Sequence, residues 1–557
     1  MERIWLAHYP EGIPADITQE AAAYSSLADL FEQSCTRYAD NVAYLSMGVS
    51  MTYAQTLAHA RHFAAWLQSQ GVAQGDRVAI MMPNLLQYPV CLFGTLMAGA
   101  VVVNTNPLYT AHELKHQLID SGAQTVIVAE NFAHTLQEAL PGTAVKHIVI
   151  TSLGEMLGGV RGLMTDLVVR HIKKLVPAWR LPNVVRLSMA LKLGTKARYT
   201  RPKLTHHDLA ALQYTGGTTG VAKGAMLSHG NLVSNVCQAC AWLLPYTEGT
   251  GERECVVTAL PLYHIFALTA NCLTYLKLGA RNLLIVNARD IPDFIKSLST
   301  VAFTALTGVN TLFNALLNNP EFAKLDFSSL HTTLGGGMAV QEAIAQRWLQ
   351  VTGCPIAQAY GLTETSPAVT INPLDKPDFT GSIGLPVPST DVRIRENNQD
   401  LAIGESGEIC IKGPQVTAGY WNRPDETVKI FDPDGFLLTG DIGYMNESGY
   451  VFILDRKKDM ILVSGFNVYP NEVEAAAMAH PGIQEAAAIG IPSGVTGEAV
   501  KLYVIARDDT LTEAQVIAHC RTLLTGYKVP KTVVFREDLP RSNVGKILRR
   551  KLKDENK

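Results

Sequence analysis

The stretch YTGGTTGVAKGAMLSHGNL, residues 214–232, has four glycines, three threonines and one lysine within its first eleven residues. Glycine lets backbone N–H groups come close to an anion because no Cβ stands in the way. Successive N–H groups in a tight turn form a nest for phosphate oxygens, to which threonine hydroxyls and Lys223 add donors and charge. We therefore expect this segment to hold a polyphosphate. It is not a Walker A loop, because Gly224 rather than Ser or Thr follows the lysine.

On both sides of this segment, amphipathic helical stretches alternate with short β-branched runs. The clearest helical stretches are residues 53–70 and 113–121, and the runs are residues 77–81, 124–128, 147–150 and 282–286. This alternation predicts layered α/β structure with largely parallel sheets. The longest apolar run, residues 90–103, is shorter than the ~20 residues that a membrane-spanning helix needs. We interpret it as a core helix that leads into a strand.

The pattern changes near Val392, where short strands and turns predict a small β region, followed by a compact αβ pattern typical of a small domain. Residues 449–465, GYVFILDRKKDMILVSG, read as a hairpin with a charged turn at residues 455–459. Five consecutive charges between two apolar strands cannot lie in a core. The run is therefore either the solvated tip of a surface hairpin or a hinge between two domains, and we place the domain boundary within it.

The composition predicts a globular protein of more than one domain. The chain has 557 residues, of which 47% are hydrophobic and 17% charged, and its net charge of −3 gives no field that would attract nucleic acid. Nine cysteines include a single CxxC, Cys237 and Cys240, which we interpret as ordinary buried thiols rather than as a metal or redox site. The unpaired pattern and the absence of a signal-like N-terminus favour a soluble protein of a reducing cytoplasm.

Residues 161–203 are strongly basic, with eleven Lys and Arg residues against one acid, Asp166. Apolar residues fall at helical spacing beside the first charges. They are Leu163, Leu167, Val168, Ile172, Leu175 and Val176. One interpretation is a basic amphipathic helix that lies on an anionic membrane, such as the inner face of the cytoplasmic membrane. The other is a solvated surface insertion whose apolar stripe faces its own core.

Five further blocks accompany the Gly/Thr segment, in a fixed order. They are PLYHIFA (261–267), GGGM (335–338), YGLTETSP (360–367), TGD (439–441) continued by DRKK (455–458), and PRSNVGKILRR (540–550). Together they resemble the adenylate-forming superfamily of acyl-CoA synthetases, luciferases and peptide-synthetase adenylation domains, over essentially the whole chain. MMPNLLQYPV and NPLYTAHEL resemble bacterial long-chain fatty-acid–CoA ligases most closely. That group commonly has Trp-Leu-His before TGD, whereas this chain has Phe436-Leu437-Leu438, which leaves the acyl chain length open.

The resemblance implies a reaction in which a carboxylate attacks the α-phosphate of ATP, so that like charges must be offset by a cation and Mg²⁺. It makes Lys546 the adenylation lysine and Glu364, with Thr215, the Mg²⁺ ligand. His264 would lie near the acyl carboxylate and Lys458 at the hinge. The implied nucleotide contacts are Tyr214, Thr215, Gly216, Gly217, Thr218, Thr219, Gly220 and Lys223 at the phosphates, Gly337, Met338, Ala359 and Tyr360 around adenine, Gly361 and Thr363 beside them, and Asp441 and Arg456 at the ribose.

Thioester formation needs a second catalytic surface, which the resemblance assigns to Gly465, Phe466 and Asn467 as the segment that meets CoA. The implied fold is α/β. Its large N-terminal domain, residues 1–457, has several subdomains with layered α/β sheets and a small β region. A small mobile α+β domain, residues 458–557, follows a hinge near Lys458, so that one domain serves both half-reactions.

The implied activity is ligation of long-chain fatty acids to CoA with ATP and Mg²⁺, feeding fatty-acid degradation, with the acyl chain in a tunnel beside Thr307, Gly308 and Val309. One alternative is a medium-chain or aryl acid–CoA ligase of the same superfamily. Another, from a different class, is a non-catalytic acyl- or nucleotide-binding membrane-associated protein, although such a protein need not keep Lys546. The sequence leaves oligomerisation and peripheral membrane contact open.

Overall fold

The computed structural model describes residues 2–215, 222–247, 254–376, 378–507, 510–542 and 545–556. Strands in these ranges form a nine-stranded, a seven-stranded and two smaller sheets. Helices cover the two largest sheets, and a small α+β unit follows at the C-terminal end. The predicted α/β class, with a large N-terminal and a small C-terminal part, is confirmed.

The nine-stranded sheet carries much of the site along one edge. Its strands, in spatial order, are Leu385–Pro386, Ala368–Ile371, Ile356–Gly361, Thr332–Gly335, Ala305–Gly308, Cys255–Thr258, Arg281–Leu284, Val42–Ser46 and Val49–Thr52. The strands from Ile356–Gly361 to Val42–Ser46 are parallel neighbours, and antiparallel strands close both ends. Because parallel strands end at the same edge, the loops that follow them meet there.

The seven-stranded sheet ends in the hairpin that bears the Gly/Thr segment. Its strands, in spatial order, are Val184–Arg186, His147–Thr151, Thr125–Ala129, Arg77–Met81, Val101–Asn104, Leu209–Thr215 and Lys223–Ser228. All four residues of Val101–Asn104 are buried, as expected for a parallel strand covered on both faces. In the antiparallel hairpin Thr215 lies opposite Lys223. Residues 216–221, the predicted nest, lie outside the described residues.

Local sequence signals account for many helix ends. The α-helices are Thr18–Ala22, Leu27–Arg37, Tyr53–Ser69, Gln87–Met97, Ala111–Ser121, Ala133–Ala139, Gly159–Leu167, Leu187–Gly194, His229–Thr247, Ile265–Ala267, Thr274–Lys277, Ile291–Leu298, Asn310–Leu317, Glu342–Thr352, Pro424–Val428, Pro470–Met478, Glu513–Leu523 and Arg549–Asp554. Tyr53–Ser69, for example, begins at a reciprocal cap between Thr52 and Gln55. The buried helix Gln87–Met97 leads into a strand, as predicted. Within the described ranges, no helix combines the length and the apolarity that a membrane crossing needs.

The two smaller sheets correct one prediction. The antiparallel five-stranded sheet comprises Gln399–Asp400, Asp391–Glu396, Gly407–Lys412, Leu437–Met445 and Val451–Arg456, and the C-terminal sheet comprises Phe466–Val468, Ile461–Val463, Gly497–Ala506, Ile483–Ser493 and Thr532–Phe535. Val451–Arg456 and Ile461–Val463 therefore belong to different sheets, and the predicted hairpin across residues 455–459 is wrong. The charged run connects two sheets, which excludes a hairpin tip.

Candidate active site

A cavity of about 800 Å³ collects most of the residues that the motifs single out. The predicted site residues on its wall are Thr215, Lys223, His264, Gly337, Ala359, Tyr360, Gly361, Thr363, Glu364, Arg456, Lys458 and Lys546. They come from the seven-stranded sheet, the nine-stranded sheet, the five-stranded sheet and the C-terminal unit. The cavity therefore depends on the correct packing of all these parts.

Other predicted residues lie outside this wall. The Tyr214 hydroxyl turns away and donates a 2.7 Å hydrogen bond to Asp120, and Met338 packs partly buried against the core. Gly465, Phe466 and Asn467 are exposed at the tip of a C-terminal hairpin, where the Phe466 ring stacks on Tyr527 with 4.8 Å between ring centres. Gly216, Gly217, Thr218, Thr219 and Gly220 lie outside the described residues.

Asp441 lies directly behind the wall and holds two of its residues. The Tyr360 hydroxyl donates a 2.6 Å hydrogen bond to Asp441 Oδ2. Arg456, opposite Asp441 in the neighbouring strand, brings its Nε within 3.1 Å of Oδ1. Oδ1 is nevertheless buried and accepts no hydrogen bond from any described residue. A buried carboxylate oxygen in this state fits a ligand hydroxyl, and the two oxygens together suit a vicinal diol such as ribose.

Lys546 reaches the cavity from a tight loop of the C-terminal unit. The Ser542 N–H donates to the carbonyl oxygen of Lys546 at 2.7 Å, which closes the loop. Gly545 has φ +83°, and a Cβ there would lie 2.7 Å from Thr311 Oγ1, so that glycine permits the close approach to the large domain. Burial, and then the charge of Arg456, lower the pKa of Lys546 to about 8. The ammonium group remains protonated at neutral pH, but nearby negative groups offset its positive charge only poorly.

His264 is neutral at physiological pH. Its burial, and then the charge of Lys546, lower the pKa of the imidazole to about 4. Nδ1 accepts a 3.3 Å hydrogen bond from the Phe266 N–H and caps the helix Ile265–Ala267. With Nδ1 acting as acceptor, the neutral ring carries its proton on Nε2. His264 can therefore donate a hydrogen bond into the cavity without adding a charge.

The end of the cavity near Lys223, which is the predicted phosphate end, is organised by two residues that the motifs did not reveal. Tyr420 donates a 2.5 Å hydrogen bond to Glu364 Oε1, and its ring centre lies 5.3 Å from the Lys223 ammonium nitrogen. Glu426 forms an ion pair with Lys223, and this contact, with Lys429, lowers the pKa of Glu426 to about 2. Lys223 and Glu426 are 203 residues apart, and no local spacing signals such a pair.

Glu364 and Thr215 present a carboxylate and a hydroxyl to the same cavity. Hard oxygen donors of this kind suit Mg²⁺, which usually takes one or two carboxylates and completes its shell with water and substrate phosphate. Glu364 Oε1 is already oriented by Tyr420, which leaves the other carboxylate oxygen as the available donor. The residues present therefore fit a magnesium ion at the phosphate end.

The part of the cavity wall formed by the helix His229–Thr247, residues 265–275 and the nine-stranded sheet is mainly apolar, and we call it the apolar branch. It is lined by Ala239, Trp242, Leu243, Ile265, Phe266, Ala270, Tyr275, Leu334, Ala368 and Ile371, with Asn235, Thr269, Thr274, Thr307 and Thr332 among them. Of the predicted tunnel residues only Thr307 lies on this wall. Trp242 is fully buried and meets the ring of Tyr9 edge-on, with 5.4 Å between centres. Such a branch can hold an alkyl chain. Each methylene group that it buries contributes about 0.8 kcal/mol of favourable binding free energy.

Comparison with family models accounts for the combination of these features. A model described as AMP-binding enzyme matches residues 31–421. The chain belongs to the AMP-binding enzyme family. A second model, described as AMP-binding enzyme C-terminal domain, matches residues 472–546. The predicted superfamily membership is thereby confirmed. The hinge predicted near Lys458 lies between the two matched regions.

Curated members of the AMP-binding enzyme family resemble the chain over its full length. The long-chain-fatty-acid–CoA ligase of Escherichia coli O157:H7 is 55% identical over 557 residues, which cover 100% of this chain and 98% of that protein. The protein of the same name from Haemophilus influenzae is 49% identical, with 100% and 99% covered. Among solved structures, ATP-bound MatB from Rhodopseudomonas palustris superposes with a TM-score of 0.80 at 29% identity, covering 95% of this chain and 98% of that one.

Proposed function

We propose that this protein is a long-chain fatty-acid–CoA ligase that forms an acyl-adenylate from ATP and then transfers the acyl group to CoA. The observation that carries the proposal is one cavity that joins the cations Lys223 and Lys546 to an apolar branch, with the buried Asp441 carboxylate directly behind its wall. The 55% identity to ligases of that name supports the choice of a long acyl chain. The products are acyl-CoA, AMP and pyrophosphate, and the acyl-CoA supplies fatty-acid degradation.

In the first half-reaction, a carboxylate oxygen attacks the α-phosphorus of ATP, and the bond to pyrophosphate breaks. Lys546 stabilises the two anions as they approach, while the Nε2–H of His264 orients the acyl carboxylate at the start of the apolar branch. Glu364 and Thr215 would hold Mg²⁺, which would supply positive charge against the phosphates and the leaving pyrophosphate. Asp441 accepts hydrogen bonds from the ribose hydroxyls, because its Oδ1 is buried without a hydrogen bond from a described residue.

In the second half-reaction, the sulfur of CoA attacks the acyl carbonyl, and the bond to AMP breaks. The hairpin with Gly465, Phe466 and Asn467 now lies outside the cavity wall. We propose that residues 458–557 rotate about Lys458, so that Lys546 leaves the cavity and this hairpin enters it. The rotation has to break the pair between Asp455 and Arg549, whose Oδ1 and Nη1 lie 3.0 Å apart across the proposed boundary.

A panel of acids from short to long chain, together with an aryl acid, tests the proposed substrate class. AMP release that requires CoA and is highest with long-chain acids supports the proposal. A preference for medium-chain or aryl acids would instead indicate a medium-chain or aryl acid–CoA ligase of the same superfamily. ATP or acyl binding without pyrophosphate exchange would indicate the non-catalytic alternative. We place the reaction in the cytoplasm, with peripheral contact to an anionic membrane.

The pKa of Lys546 predicts the alkaline limb of the pH profile. We expect kcat/KM for ATP to fall as the pH rises through about 8, because kcat/KM reports the free enzyme and Lys546 is protonated only below its pKa. The Lys546→Arg variant should keep the positive charge at high pH, so that its kcat/KM no longer falls near pH 8. The maximal kcat/KM of this variant should be lower than that of the unmodified enzyme. His264 should add no acidic inflection until about pH 4. An unchanged alkaline limb in Lys546→Arg would assign it to another group.

The hydrogen bond from Tyr420 to Glu364 predicts the effect of Tyr420→Phe. We expect the concentration of Mg²⁺ needed for half-maximal pyrophosphate exchange to rise about 10–100-fold, since partners that orient a metal-binding carboxylate contribute that much to metal affinity. Activity at saturating Mg²⁺ should largely recover. Tyr444→Phe, a change of the same kind in the five-stranded sheet, serves as the control. Equal magnesium dependence of both variants and the unmodified enzyme would contradict the role of Tyr420.

A further inference from the structure

We infer that the helix Gly159–Leu167, the π-helical turn Val168–Ile172 that continues it and the outer side of the helix Leu187–Gly194 form a docking surface for an anionic phospholipid bilayer. We call these three elements the basic face. None of their residues lies on the wall of the catalytic cavity. The inference therefore stands apart from the proposed chemistry and names the surface by which the protein would reach a membrane.

The inner side of the helix Gly159–Leu167 is fixed by polar contacts and close packing. Asp166 accepts hydrogen bonds from the Ser152 hydroxyl at 2.7 Å and from the Gly154 N–H at 2.8 Å. A Cβ on Gly162 would lie 2.4 Å from the Gly154 carbonyl oxygen. Val169, in the turn that follows, is buried on the same side. The orientation of the helix is therefore determined, and its only acid points inward.

The apolar stripe of the same helix faces solvent. Val160 is 75% exposed and Leu163 73% exposed, and Met164 and Leu167 are also exposed. Their spacing of three, four and seven residues places them on one side of a helix, opposite Gly162 and Asp166. Of the two sequence interpretations, burial of the stripe in the protein's own core is therefore wrong.

The apolar surface continues on both neighbours of the helix. Ile172 is 69% exposed, and Leu175 follows it on the surface. The helix Leu187–Gly194 buries Leu187, Ala190 and Gly194 and exposes Met189 and Leu193. The Ser188 N–H at its start donates a 2.9 Å hydrogen bond to Glu155, next to the Gly154 on which the first helix packs. Both helices thus border the same loop.

The charges around this apolar surface select its partner. Residues 161–203 contain eleven basic residues and one acid, the inward-facing Asp166. Three of the basic residues, Arg170, Arg186 and Arg201, pair with acids outside this segment. Lys173, Lys174, Lys192 and Lys196 are exposed beside the apolar residues. Basic residues with exposed apolar residues between them are the chemistry that binds anionic lipid in the headgroup region. A second copy of the chain fits poorly, because a twofold contact would set the same positive charges against each other.

Flotation with vesicles tests this surface in the full-length protein. We expect binding to vesicles of phosphatidylglycerol mixed with phosphatidylcholine, weaker binding at high salt, and little binding to phosphatidylcholine alone. The double change Leu163→Glu with Leu167→Glu should lower the partition coefficient at least about tenfold, because it puts charges into the apolar stripe. CoA ligation of a water-soluble medium-chain acid and the midpoint of thermal unfolding show that this variant is folded.

The control variant carries Ile119→Glu and Leu523→Glu, which make the same chemical change at exposed positions outside the basic face. This control variant should bind vesicles like the unmodified protein. The inference is overturned if the unmodified protein does not bind the anionic vesicles. It is also overturned if the basic-face variant binds them equally well, or if the control variant loses as much. Dimerisation that disappears only in the basic-face variant, without vesicle binding, would assign the surface to a second copy instead.

Discussion

Lys546→Ala is expected to slow acyl-adenylate formation about 10²–10³-fold while ATP still binds. Removing one charged or hydrogen-bonding contact that acts chiefly in the transition state has an effect of this size. The ammonium group lies in the cavity close to Arg456, and its pKa of about 8 shows that it is held without full compensation. Two approaching anions would supply that compensation, so that the contact strengthens as the reaction proceeds. Ground-state binding of ATP does not depend on it to the same degree.

Three measurements separate this role from a structural one. Pyrophosphate exchange should fall in Lys546→Ala, whereas equilibrium binding of ATP should stay within a few-fold of the unmodified enzyme. Thioester formation from a supplied acyl-adenylate should also remain, because in the proposed rotation Lys546 leaves the cavity before that step. Lys551→Ala, an exposed lysine on the C-terminal helix, is the matched control. Near-normal exchange by Lys546→Ala would refute the assignment, and loss of both half-reactions would indicate a folding defect.

Elements with strong local signals could be predicted from the sequence almost residue by residue. The helix predicted over residues 53–70 spans Tyr53–Ser69, since its amphipathic period and its Thr52 cap are both local. The strand Arg77–Met81 has the predicted bounds, and the run at residues 147–150 became His147–Thr151. These elements carry their own boundary signals, which do not depend on the partner they pack against.

Properties that depend on distant partners could not be predicted in the same way. The strand Ile461–Val463 looked like the second arm of a hairpin because it follows Val451–Arg456 after a short charged run. Its partners are Phe466–Val468 and Gly497–Ala506, and nothing in its own residues distinguishes these from the preceding strand. The helical spacing around Leu163 likewise predicts a stripe but not which side faces the protein. The side that faces the protein is set by the close packing of Gly162 against the backbone of Gly154.

The candidate active site shows the same difference between features with local sequence signals and features that depend on distant residues. Motifs located Glu364 and Lys223 because a fixed local pattern surrounds each of them. Tyr420 and Glu426, which contact them, lie in a segment without a comparable pattern. Their contacts arise only when the segment near residue 420 packs against the strand Lys223–Ser228 and the turn that holds Glu364. For a single sequence, the groups proposed to perform the reaction are therefore easier to find than those that position them.

The largest expected effect on nucleotide recognition comes from Asp441→Asn. We expect kcat/KM for ATP to fall about a hundredfold, since a hydrogen bond to a charged group contributes about 1.5–3 kcal/mol. The asparagine keeps the shape of the side chain but offers one acceptor oxygen in place of two. It also removes the negative charge that Arg456 approaches to 3.1 Å, and leaves that guanidinium half-buried without its partner. The Tyr360 hydroxyl can still donate to the remaining oxygen.

Comparison of ATP with 2′-deoxy-ATP tests the proposed contact between Asp441 and the ribose hydroxyls separately from other effects of the mutation. The unmodified enzyme should discriminate against the deoxynucleotide, because the buried Oδ1 then stays without a donor. In Asp441→Asn the ratio of the two kcat/KM values should approach one, whatever the absolute loss, since the contact is already broken. Asp40→Asn, at an exposed position far along the chain, controls for the change of net charge. If Asp441→Asn kept the full discrimination, the ribose hydroxyls would have to bind elsewhere, and the buried carboxylate would serve only to hold Tyr360 and Arg456.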